Sequence, residues 1–154
     1  MEFALPRPAG ALALIGSVSR DAWRGLWHPS TPSALAASRH ALLTVLADVI
    51  EVADQLADQV SVSNDSQPRA NAASICRWEL ARLKDRVLQI PAQGTDTAHQ
   101  ASVVRHLDEG MTAAQILSTG YRFHSLDRIC RGGRSLDDQF EALARLRIKL
   151  GVLN

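Results

Sequence analysis

The 154 residues carry 17 basic and 16 acidic side chains, a balance that gives no global attraction to nucleic acid or to an anionic membrane. With 46% hydrophobic and 21% charged residues the composition is globular rather than disordered, and the length suits one domain that buries a core without disulfides or metals. Only 5% of residues are aromatic, so that core has to be aliphatic.

Residues 1–30 read as an irregular segment, because Pro6, Pro8, Gly10, Gly16 and Gly25 interrupt any continuous helix. The apolar run 9–18 is too short to cross a bilayer. It makes a poor signal peptide, with Glu2 in the leading region, only Arg7 basic and no small-residue cleavage site. No membrane association is expected. Residues 19–27 can form two helical turns that stack Trp23 on Trp27 at i, i+4. Such a pair either packs on the parent domain or anchors a protein partner, since Trp is enriched at interface hot spots.

The remainder, 31–154, reads as an all-α helical bundle of four to five helices. A cap at Ser30 or Thr31 with Pro32 in the first turn opens a helix over 32–60. Leu42, Leu46, Val49, Ala53, Leu56 and Val60 recur in alternating steps of four and three, and Leu43, Val45, Ile50 and Val52 widen the stripe. Asp48, Glu51, Asp54 and Asp58 form an acidic outer strip. The polar turn 61–66 offers Asp65 or Ser66 as cap for a second helix over 68–90, with Ala72, Cys76, Leu80, Leu83, Val87 and Ile90 in the same rhythm and Pro91 as its stop. The two make a long antiparallel αα-hairpin. Trp78 falls near the seam edge, and Arg82, Lys84 and Arg86 on a solvated flank.

A third helix is expected from about residue 98 to Gly110. Thr112 and Gln115 fit a capping box with Met111 and Ile116 in the staple positions, so a new helix is expected at Thr112. Gly132-Gly133 should end the helix containing Leu126, Ile129 and Cys130. Ser135 should cap the last helix, which buries Leu136, Phe140, Leu143, Leu146 and Leu150.

The chemistry-bearing residues do not assemble into a catalytic motif. The five histidines include no HxxxH or HExxH, and His99 and His106 lack a second pair of ligands. No phosphate-binding glycine loop or nucleophile elbow occurs. Neither Cys76 nor Cys130 has a CxxC partner, and both suit buried thiols in a reducing, cytoplasmic setting. The expectation is a protein with no catalytic, metal or cofactor site.

Two functional classes remain. In the first, apolar stripes wider than a two-helix seam are buried against a second copy, as in a homodimer, or against a protein partner, with Trp23 and Trp27 as a further contact. In the second, residues 112–132 form a degenerate helix-turn-helix with its turn at Gly120. Arg122, His124, Arg128, Arg131 and Arg134 would then face DNA. Gln115, Ile116 and Thr119 fit that motif badly and favour instead an unbroken helix from Thr112 to about Arg131. The interaction class is preferred, because it requires no motif that the sequence lacks.

Overall fold

The computed structural model describes residues 32–91, 94 and 96–153. They form four helices: α1 (Pro32–Val62), α2 (Ser66–Gln89), α3 (Asp96–Arg122) and α4 (Leu126–Val152). No strand occurs among the described residues. The chain is an all-α bundle. Residues 1–30, with the expected Trp-containing helix, lie outside the described residues.

α1 and α2 are the expected hairpin. Asp65 occupies the N-cap of α2 in extended backbone, but its side chain caps nothing; Ser63 Oγ accepts the Asp65 N–H instead. The end of α1 is closed from α2, where Arg69 Nε donates to the carbonyls of Val60 (3.1 Å) and Ser63 (2.7 Å). At the other end of α2, Gln100 Nε2 donates to the carbonyls of Val87 and Ile90. Carbonyls at helix C-termini have no intrahelical partner, and these two side chains supply one.

Neighbouring helices run antiparallel around a ring in chain order. α3 shares its largest interfaces with α2 and α4, while α1 rests on α2 and α4 over less surface and barely meets α3. The core is the expected aliphatic one, with Leu42, Leu46, Val49, Leu80, Leu83, Val87, Val103, Leu107, Leu136, Leu143 and Leu150 buried. Phe140, expected among them, is only partly buried. Arg82 lies on the expected solvated flank, paired within α2 to Glu79, but Lys84 pairs with Asp108 of α3 at 2.7 Å and Arg86 with Asp48 of α1 at 2.6 Å.

Two expected helix boundaries are absent, and so is the turn that the helix-turn-helix alternative places at Gly120. α3 runs through Gly110 and Thr112, whose hydroxyl donates to the Asp108 carbonyl one turn back; it caps nothing. α4 runs through Gly132, Gly133 and Ser135 without interruption. α3 also runs through Gly120, so neither the helix-turn-helix nor an unbroken helix to Arg131 occurs. The actual break is at 123–125, three residues beyond Gly120.

Tertiary packing explains why these glycines do not end helices. A Cβ on Gly110 would stand 3.2 Å from Leu80 Cδ1. On Gly120 it would stand 2.8 Å from the Ile129 nitrogen, and on Gly132 2.7 Å from the Leu117 nitrogen. Gly120 and Gly132 let α3 and α4 approach to backbone contact and Gly110 makes room for the Leu80 side chain, and that packing outweighs a helix-propensity cost of about 1 kcal/mol.

The real α3–α4 turn is built by other residues. Ser125 N–H donates to the Gly120 carbonyl and His124 N–H to the Tyr121 carbonyl, with His124 at φ 54. This is a Schellman ending with His124 in the left-handed position that usually favours glycine. Ser125 then caps α4 by accepting the Arg128 N–H at 3.4 Å.

A clamp holds the opposite end. Arg39 of α1 donates Nε and Nη2 to the two oxygens of Asp96 (2.8 and 2.9 Å) and Nη1 to the Leu153 carbonyl (3.0 Å). One guanidinium thus ties α1 to the start of α3 and the end of α4. The bidentate bonds, with Arg39's charge, hold the Asp96 carboxyl below its ordinary value against the opposing effect of burial.

Candidate functional site

The loose seating of α1 leaves a cleft of about 420 Å³ between its C-terminal half and the N-terminal half of α4. Ala53, Leu56, Ala57 and Val60 form the α1 wall. Ile129, Cys130, Gly133, Asp137 and Phe140 form the α4 wall, with Leu117, Tyr121 and Leu136 beneath. The cleft exists because the facing residues are small. Ala53 and Ala57 oppose Cys130 and Gly133, and a Cβ built on Gly133 meets nothing within 4 Å.

The stripe on α4 continues past the cleft to Leu126, which is 74% exposed, beside Phe123 at 66%. Leu126 precedes the cleft residue Ile129 by one turn, so apolar surface extends along α4 beyond the cleft. The floor is rigid. Arg69 lies over the Tyr121 ring at 5.8 Å, and Ser118, on the far side of α3, bonds Ser74 Oγ and the Ala70 carbonyl.

Cys130 is exposed and Cys76 buried, both as free thiols. The expectation that both are buried therefore fails for Cys130, which stands at the cleft wall. Burial pushes the Cys76 thiol up to about 12, with the Glu79 charge adding to it.

The other expected site residues lie elsewhere. Trp23 and Trp27 are outside the described residues. Arg122, His124, Arg128, Arg131 and Arg134 are all exposed, but they do not form a recognition surface of the expected kind. Arg122 ends α3, and His124 is the turn residue whose Nδ1 bonds Ser66 Oγ at 3.1 Å. Arg128, Arg131 and Arg134 step through about 120° of α4, interleaved with Asp127, Asp138 and Glu141. Arg131 faces Asp127 at 3.6 Å. Their helix is 27 residues long and packed along α3, so no short helix is free to enter a major groove.

His99 and His106 share a helix face but not a site. His99 Nδ1 lies 3.5 Å from Asp96, and His106 bonds Gln139 at 2.6 Å. Among the described residues no cluster of three His, Cys, Asp or Glu is arranged to hold a metal ion. No described helix is long and apolar enough to cross a membrane.

The cleft residues were hard to single out from sequence. Ala53 and Val60 fall on the apolar stripe and read as core. The available signal was the run of small side chains, Ala53, Ala57 and Gly133, at positions where a tight bundle would place larger ones. No family model, curated protein or solved structure matches this chain.

Proposed function

We propose that this chain is a non-enzymatic interaction domain that accepts an apolar helix of a protein partner in the cleft between α1 and α4. The observation that carries the reading is Gly133, a helical glycine that faces open space between two apolar walls. The cleft follows α4 from Ile129 to Phe140, about 17 Å or three helical turns. That is the length over which an amphipathic helix presents anchors at i, i+3 or i+4, and i+7. Its volume lies within the range of about 300–1,000 Å³ typical of ligand-accepting pockets. A second copy of the chain is one candidate source of that helix. A reducing compartment such as the cytoplasm keeps Cys130 a thiol at the cleft wall.

The test is calorimetric titration of the full chain with a synthetic 18-residue amphipathic helix bearing leucines on one face and glutamines on the other. Saturable binding is expected, and Gly133→Leu should weaken it at least tenfold by filling the cleft. Binding indifferent to that substitution contradicts the reading.

A further inference from the structure

We infer that the helix accepted by this cleft is basic along both flanks of its apolar face; the inference rests on the cleft reading and specifies its partner.

After Arg39, α1 contains no Lys or Arg as far as Val62, yet it carries Asp48, Glu51, Asp54 and Asp58. Only Asp48 is paired, with Arg86 on the α2 side. Glu51, Asp54 and Asp58 are exposed and form no ion pair with any described residue. Asp54 and Asp58 directly follow the wall residues Ala53 and Ala57, so they stand about 100° further round the helix. The α2-facing side of α1 is marked by Asp48, Val52 and Gln59, of which Val52 and Gln59 line a small crevice shared with α2. Asp54 therefore borders the cleft on its outer edge, with Asp58 one turn on.

On the opposite wall, the one charged side chain among the described residues that line the cleft, Asp137, has the same sign. One turn further along α4, Glu141 is held by Arg145. Arg134, exposed one turn before Asp137, stands about 60° further round the helix and is not among the residues that line the cleft. A helix seated with its apolar face between Ala57 and Gly133 would have Asp54 and Asp58 along one flank and Asp137 along the other. Lys or Arg at those positions completes ion pairs, whereas Glu or Asp meets like charge. Phosphates of a nucleic acid are repelled for the same reason. Complementary rim charge steers encounter and selects among partners whose apolar faces are alike.

The experiment titrates the full chain with three 18-residue helical peptides that share one leucine face and differ only in outer residues: lysine, glutamine or glutamate. The lysine peptide should bind about tenfold or more tighter than the glutamate peptide, as three exposed pairs of modest strength imply. The gap should close as salt rises. Asp54→Lys with Asp137→Lys should reverse the order, and Asp54→Asn with Asp137→Asn should level it should the first pair fail to fold. Equal binding of lysine and glutamate peptides, both still weakened by Gly133→Leu, overturns the charge inference and leaves the cleft reading standing. Binding of all three that ignores Gly133→Leu, or no binding because the cleft is already filled by the chain's own residues 1–31 or a second copy, overturns both.

Discussion

Gly132 and Gly133 are consecutive on α4 and have opposite surroundings. A Cβ on Gly132 would lie 2.7 Å from the Leu117 nitrogen and 3.0 Å from the Ala113 carbonyl oxygen, whereas one on Gly133 would touch nothing. One glycine lets α4 meet α3; the next leaves α4 apart from α1.

Alanine at the two positions should therefore act in opposite directions. Gly132→Ala forces backbone apart and should cost about 1–3 kcal/mol, as overpacking does. Gly133→Ala relieves the glycine penalty in a helix and should stabilise by up to about 1 kcal/mol. Urea denaturation midpoints measure both, and a shift of the same sign would refute the contrast.

The Arg39–Asp96 clamp should make stability acid-sensitive. The Arg39 guanidinium holds the folded-state pKa of Asp96 below the ordinary carboxylate value of the unfolded chain. Its contribution is thus complete above that value and disappears as pH falls through the lower folded-state one. Arg39→Ala leaves the carboxylate buried without its partner and should cost about 3 kcal/mol at neutral pH. Asp96→Asn should flatten the acid limb of a stability–pH curve, and an unchanged limb would remove Asp96 as its source.

The two thiols should differ in reaction with an aromatic disulfide reagent. Cys130 is exposed and should titrate at once in the native protein. Cys76, buried and pushed up to about 12, should respond only on unfolding. Two fast thiols in the native state would contradict the burial of Cys76.

His124 holds the left-handed position of the α3–α4 turn. Glycine there should preserve or slightly raise the melting temperature, whereas His124→Val should cost about 1–2 kcal/mol because a β-branched side chain disfavours that conformation. Equal stability of the two variants would show that the turn tolerates any residue.

The fold was legible where periodicity was long and punctuation agreed with it. The stripe from Leu42 to Val60, the polar turn at 61–66 and the stop at Pro91 located the first two helices nearly to the residue. The second half was misread because local signals competed with long-range packing. Thr112, Gln115, Met111 and Ile116 satisfy every condition of a helix start, yet they lie within α3. Gly110 and Gly132 read as breaks, and Gly120 as an open question, because their packing partners, Leu80, Leu117 and Ile129, are distant or not assignable from sequence. The cleft was hidden for the same reason: Ala53, Ala57 and Gly133 become a gap only when α1 and α4 are placed side by side.

The most direct test of the cleft as an acceptor is an amide NMR titration of the full chain with the lysine-faced amphipathic peptide. The largest shifts should fall on Ala53, Ala57, Cys130, Gly133 and Phe140, with Trp78 and the far-end clamp at Arg39 unmoved. Shifts centred instead on Trp78, or an unmoved Gly133 under conditions where duplex DNA shifts Arg128, Arg131 and Arg134, would contradict it.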